Sequence, residues 1–152
     1  MPVHNQFLLV NGGLNPQALA VRGPVIQVEI HLPTPLAQLY QVRGTSLPQP
    51  SVGLAMVDTG ASKTCVDGQV ISAMSVPPPN RIEIHTPGGL TSQYLYPARL
   101  VFPGTPLPPI DFSSVIGSEL AAQGIVALIG RDVLQHFLLV YNGTAGMFSL
   151  SV

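Results

Sequence analysis

An apolar run, Leu54-Ala55-Met56-Val57, leads directly into Asp58-Thr59-Gly60-Ala61, and this arrangement, which occurs once, constrains the chain more than any other stretch of it. An ionised carboxylate beside a buried strand is costly unless hydrogen bonds satisfy it or a proton neutralises it. The segment reads as a β-strand over 53–57 entering a core, with Asp58 at its end and Gly60 permitting a sharp reversal of the chain. Thr59 offers a hydroxyl that can bond to backbone and fix the loop. Such a loop holds one carboxylate rigidly at the edge of the interior. A plain Asx-type turn after a strand would use the same three residues, so the tripeptide alone does not separate a structural role from a chemical one.

A second signal lies downstream, where Val126-Ala127-Leu128-Ile129 ends in Gly130 and is followed by Arg131-Asp132-Val133-Leu134, whose apolar residues continue to Phe137 with helical spacing. Taken together, Leu-Ala-Met-Val-Asp-Thr-Gly-Ala and, later, Leu-Ile-Gly-Arg-Asp-Val-Leu resemble the retropepsins, the retroviral-type aspartic proteases and their cellular relatives. The resemblance runs from about residue 50 to the C-terminus. It implies an all-β, single-domain acid-protease barrel over residues 1–152 with one short C-terminal helix, active as a symmetric homodimer. In that family the apolar-apolar-Gly strand packs beside the Asp-Thr-Gly loop, and the short helix after it closes the domain.

Between the two motifs, Arg81-Ile82-Glu83-Ile84-His85 alternates with period two, Thr86-Pro87-Gly88-Gly89 reads as a turn, and Leu90 to Phe102 returns as extended chain. This predicts a β-hairpin, which any connecting segment of a β protein could also supply. By resemblance it is the flap, with Pro87, Gly88 and Gly89 roofing a cleft whose floor is Thr59, Gly60 and Ala61. No tyrosine stands at its tip, so a flap of the two-domain pepsin kind is not suggested.

Counting carboxylates decides what mechanism is open. Aspartic proteolysis needs two of them sharing a proton, one to act as base toward water and one to donate to the carbonyl or leaving amine. Besides Asp58 the chain has Glu29, Asp67, Glu83, Asp111, Glu119 and Asp132, and none lies in a second Asp-Thr-Gly loop. An active enzyme would therefore set Asp58 against Asp58 of another copy across a two-fold axis, the commonest symmetry of oligomers. Two carboxylates about 3 Å apart carry one proton between them, a case for which aspartic proteases are the standard illustration. The expected substrate is an extended polypeptide cut between mainly apolar side chains, with no metal and no organic cofactor. The alternative is a dimeric peptide- or protein-binding module of the same architecture in which Asp58 is structural and nothing is cleaved. Ala61 stands where pepsin-like members have Ser, so the resemblance implies a less acidic working range than theirs. Ser62 stands where retroviral members carry a second Asp that pairs with the arginine matching Arg131; Asp132 or an acid of a second copy is the candidate replacement.

Composition is compatible with association. Only 9% of residues are charged, against roughly 25% in average domains, and the formal net charge is −1, which leaves little to hold copies apart. There is no basic stripe for nucleic acid or an anionic membrane. His4, His31, His85 and His136 show no metal-ligand spacing, and the lone Cys65 reads as a buried structural thiol. No run approaches the roughly 20 apolar residues of a membrane span, and the start of the chain lacks the basic region of a signal peptide, so a cytoplasmic location is expected. Elsewhere, Val25 to His31 alternates as a strand, Phe7 to Val10 is a shorter candidate, the proline-bearing stretch 32–51 predicts a long loop or insertion, and Ser114 to Gln123 a short helix. Phe137 to Tyr141 and Met147 to Val152 flank Asn142-Gly143, a favoured hairpin dipeptide. By resemblance the last of these strands, with Phe7 to Val10, would join an intersubunit sheet; an ordinary edge hairpin is the other reading.

Overall fold

The computed structural model describes residues 1–76, 80–86 and 88–152. In chain order the first half holds β1 (Val3–Phe7), β2 (Leu9–Val10), β3 (Gly13–Leu14), α1 (Pro16–Arg22), β4 (Val25–His31), α2 (Thr34–Val42), β5 (Ser51–Val57), β6 (Cys65–Asp67) and α3 (Gly68–Ala73). The second half holds β7 (Asn80–Thr86), β8 (Gly89–Val101), β9 (Ile110–Ser118), β10 (Ala127–Ile129), α4 (Arg131–Leu134), β11 (Leu138–Asn142) and β12 (Met147–Ser151).

The alternation in Val25–His31 does what its period predicts. Ile26, Val28 and Ile30 turn inward and are no more than 1% exposed, while Gln27 and Glu29 face outward or sit half-buried. On one side β4 runs antiparallel to β5, Ile26 opposite Ala55 and Val28 opposite Gly53. From β5 the order continues through β10, β6, β9 and β8, and β8 returns to β4, with Leu100 opposite Ile30. These pairings close a six-stranded barrel, with β7 hung on the outer part of β8. Closure satisfies the backbone groups that an open sheet would leave at its edges. The interior holds Ala55, Val57, Val66, Val115, Ala127 and Ile129, each at most 4% exposed. Burying an aliphatic side chain of this kind contributes about 1.5–3 kcal/mol relative to leaving it in water.

Strand predominates as expected, but the expected short C-terminal helix is one of four α-helices among the described residues. The stretch 32–51 contains α2, which begins with Pro35 in its first turn, where a missing N–H does no harm. Pro33 at its N-cap supplies no side-chain acceptor. Asp111 of β9 does so instead, taking the Thr34 N–H at 2.9 Å and the Thr34 hydroxyl at 2.8 Å, and Arg99 bonds both Thr34 and Asp111. The segment 114–123 is not a helix: β9 runs through Ser118, and only Ala121–Gln123 form one 3₁₀ turn. The inward residues there, Val115 and Ile116 beside Gly117, are claimed by pairing with β6 and β8. No helix among the described residues is long and apolar enough to cross a membrane.

A second sheet gathers the two ends of the chain, in the order β1-β12-β11. Phe148 and Leu150 of β12 are buried at 0% and 2% exposure and pin this sheet to the core. The resemblance points to Met147–Val152 as a strand for a second copy to pair with, and the other reading is an ordinary hairpin; the hairpin with β11 is present, and both edges of β12 are taken within the chain, by β1 and β11. The free edges of this sheet belong to β1 and β11, the strands that carry exposed Val3, Phe7, Leu138 and Val140. Phe7 ends β1, and Leu9–Val10 form a separate small hairpin with Gly13–Leu14.

Candidate active site

The parallel pairing of β5 with β10 ends at Val57 opposite Ile129, and the two motifs of the sequence leave the barrel side by side at that point. Asp58 continues the ladder by one bond, its N–H donating to the Ile129 carbonyl at 3.0 Å. The chain then reverses: the Gly60 N–H donates to Asp58 Oδ1 at 2.8 Å, and the Ala61 N–H donates to the Asp58 carbonyl at 3.3 Å. This is the Asx-type geometry the tripeptide predicts. Asp58 is half-buried, and its Oδ2 accepts no hydrogen bond from any described residue.

Arg131, the first residue of α4, fastens the rest of the loop. The two hydrogens of its Nη1 go to the carbonyls of Thr59, at 2.8 Å, and Gly60, at 2.9 Å. Its backbone N–H goes to the carbonyl of Ala61 at 2.9 Å. Three consecutive carbonyls are thus held by one residue. Asp132, expected as a partner for Arg131, does not pair with it, nor does any other described acid of this chain; the partners of its guanidinium within the chain are backbone oxygens.

Asp132 serves a different purpose. It accepts the Thr64 N–H at 3.0 Å and the Thr64 hydroxyl at 2.8 Å, and Thr64 Oγ1 in turn accepts the Gly130 N–H at 3.1 Å. Gly130 lies against the Lys63–Thr64 peptide so closely that a Cβ there would stand 2.5 Å from the Lys63 carbonyl carbon. Only glycine permits that approach.

Behind this junction sits Asp67, 4% exposed. Its Oδ2 takes the N–H groups of Leu120 and Ala121 at 2.8 and 2.9 Å, and its Oδ1 takes that of Gln69 at 2.9 Å, capping α3. Burial pushes this carboxyl up, but amide donors from Leu120, Gln69, Ala121 and Val70 together outweigh it and hold it below the usual carboxylate range. Cys65 moves the other way. Burial raises its thiol, a Ser118 hydrogen bond pulls it back, and the charges of Asp132 and Asp58 add to the rise. A thiol so placed stays protonated at neutral pH and is a poor nucleophile.

Of the residues expected to line a cleft, Thr59, Gly60 and Ala61 share the Asp58 loop, the first two exposed and the third half-buried. Gly88 and Gly89 stand exposed at the far end of the β7–β8 hairpin, a separate element that joins the barrel where Leu95 pairs with Ile116. Pro87 lies outside the described residues. Beside the loop, Thr59, Arg131, Leu134, Gln135 and Leu139 line an open, largely apolar hollow of about 340 Å³. Among the described residues no three His, Cys, Asp or Glu side chains are grouped so as to hold a metal ion.

The clamp of Arg131, the Thr64–Asp132 pair and the buried Asp67 are the functional-looking features that the sequence does not disclose. The one available hint was position: Gly130, Arg131 and Asp132 follow directly on the strand expected beside the Asp58 loop. In comparison with known proteins, no protein-family model and no characterised protein matches this sequence.

Proposed function

We propose that this chain is an aspartic endopeptidase of retropepsin-like architecture, active as a homodimer in which each copy lends one Asp58. The observation that carries the reading is the half-engaged carboxylate: Oδ1 is fixed by the Gly60 amide, while Oδ2 is left without a donor among the described residues, on a turn whose carbonyls from Asp58 to Ala61 are each hydrogen-bonded. A rigid loop that keeps one carboxylate oxygen free is what a shared-proton pair requires of each copy. The apolar hollow beside Thr59 and the exposed apolar residues on the free sheet edges supply surface for a second copy to cover.

In the proposed reaction the ionised member of the pair takes a proton from a water held between the two carboxyls. The water oxygen bonds to the scissile carbonyl carbon, and the protonated member gives its proton to the carbonyl oxygen. A proton then passes to the amide nitrogen, the C–N bond breaks, and an acid and an amine leave. The titration belongs to the pair and not to either residue alone. The β7–β8 hairpin, with Gly88 and Gly89 at its end, is the element assigned to cover an extended polypeptide and bond its backbone.

Turnover of a peptide library by wild type and by Asp58→Asn tests the reading. Replacing the carboxylate removes general acid–base chemistry, so kcat/KM is expected to fall about 10²–10⁴-fold. Wild-type activity should also fall steeply on dilution, because the site exists only in the pair. Equal turnover by the two proteins refutes catalysis by Asp58. Binding of peptides by both without cleavage identifies the dimeric binding module instead.

A further inference from the structure

We infer that Arg131 is a positioning residue that aims the Gly60 amide at the Asp58 carboxylate, acting through the single peptide plane between Thr59 and Gly60. The inference rests on the proposed catalytic reading of Asp58 for its meaning, although its geometry stands without it.

The carbonyl of Thr59 and the N–H of Gly60 belong to the same peptide unit, and every described peptide bond is trans. Resonance keeps the unit flat, with its C=O and N–H pointing in opposite directions. On one side the Thr59 oxygen is held by Arg131 Nη1 at 2.8 Å; on the other the Gly60 N–H meets Asp58 Oδ1 at 2.8 Å. Fixing the oxygen therefore fixes the direction of the N–H. The second hydrogen of Nη1, on the Gly60 carbonyl at 2.9 Å, fixes the next plane as well, so the Thr59–Gly60 unit is restrained at both ends. A cation drawing on a carbonyl oxygen also makes the N–H of that unit a stronger donor, since linked hydrogen bonds polarise one another.

A purely structural role predicts something different. Arg131 is exposed, and water competes for its guanidinium, so its contacts add little to the stability of the barrel. The backbone bond from Arg131 to Ala61 survives any side-chain change. Loss of the guanidinium should thus loosen one peptide plane and leave β5 and β10 as they are.

The test compares wild type, Arg131→Lys and Arg131→Met by solvent exchange of individual amide protons in NMR, with peptide turnover as a second readout. In Arg131→Met the Gly60 amide is expected to exchange about fivefold faster, the factor that corresponds to one net hydrogen bond, while the amides of Ala55, Val57 and Ala127 keep their rates. Arg131→Lys keeps a cationic donor on a flexible stem without the planar fork and should restore part of the protection. In turnover the Met variant should lose kcat with little change in KM, and the Lys variant should regain part of it. An unchanged Gly60 rate in Arg131→Met overturns the inference, even if activity is lost. Should that variant loosen the whole barrel, Arg131→Lys decides: a faster Gly60 alone supports the inference, and a Gly60 that merely follows the barrel amides overturns it. A wild-type protein that cleaves no peptide defeats the proposed function while leaving the Gly60 readout in force.

Discussion

Asp67→Asn is the substitution whose outcome the structure fixes most tightly. The carboxylate is 4% exposed and takes three short amide hydrogen bonds, two on Oδ2 from Leu120 and Ala121 and one on Oδ1 from Gln69, with the Val70 amide adding a smaller pull. An asparagine amide has one oxygen. Turned toward Leu120 and Ala121, it keeps those two bonds but without the charge, and its NH₂ then faces the Gln69 N–H, which loses its acceptor. Hydrogen bonds to a charged group contribute about 1.5–3 kcal/mol and neutral ones about half that; allowing for the easier burial of an uncharged amide, the net loss should be about 2–4 kcal/mol. Because amide donors hold the folded carboxyl below its unfolded value, the contribution of Asp67 is complete above the ordinary carboxylate range and disappears as pH falls through the lower, folded value. Urea unfolding at fixed protein concentration should therefore show a constant gap between wild type and variant from about pH 5 to pH 8, narrowing below about pH 4. A variant as stable as wild type at pH 7, or a gap that widens on acidification, refutes the reasoning.

Two further substitutions probe the supports of the site. Gly130→Ala places a Cβ 2.5 Å from the Lys63 carbonyl carbon, 2.7 Å from its oxygen and 2.9 Å from the Thr64 nitrogen. All three are backbone atoms with no rotamer to escape into, so a loss near 3 kcal/mol, the upper end for overpacking, is expected in thermal unfolding, and a loss under about 0.5 kcal/mol contradicts it. Asp111→Ala removes the acceptor for the Thr34 N–H and hydroxyl and the partner of Arg99. Loss of a cap costs about 1 kcal/mol, so hydrogen exchange should quicken across 34–42 while the amides of β4 stay protected; uniform exchange across both would show that α2 is not held by this contact.

Local pattern carried much of the barrel. The period-two run of β4, the apolar stretch ending at Asp58, the turn chemistry at 86–89 and Asn142-Gly143 each put a strand or hairpin where the structure has one. What pattern missed is held by partners far away in sequence. The helix α2 was invisible because its capping acceptor is Asp111, 77 residues on, and prolines that read as loop breakers occupy its entrance, where they are harmless. The partners of Arg131 within the chain were hidden for the same reason. They are backbone oxygens 72 and 71 residues earlier, and a backbone oxygen leaves no residue-type signature. The terminal sheet shows the third kind of failure: Asn142-Gly143 made the pairing of β11 with β12 readable, but nothing in Met147–Val152 says that β1 of the same chain occupies its other edge.

Three consecutive residues of the second motif brace the first, each by a different physical means. Gly130 lets the two segments of the chain touch by having no side chain, Arg131 holds the carbonyls that follow Asp58, and Asp132 ties down Thr64 at the loop's far end. None of the three offers a group to the free Asp58 Oδ2. The second motif is therefore a buttress and not a second source of acid, and within one chain the carboxylate count stays at one. The proposed proteolysis needs two carboxylates sharing a proton, so under that reading the second must come from outside the chain. That makes oligomeric state the measurement that bears most directly on function: a protein that sediments as a monomer at every concentration, and remains so with a peptide library present, has no place to assemble the pair.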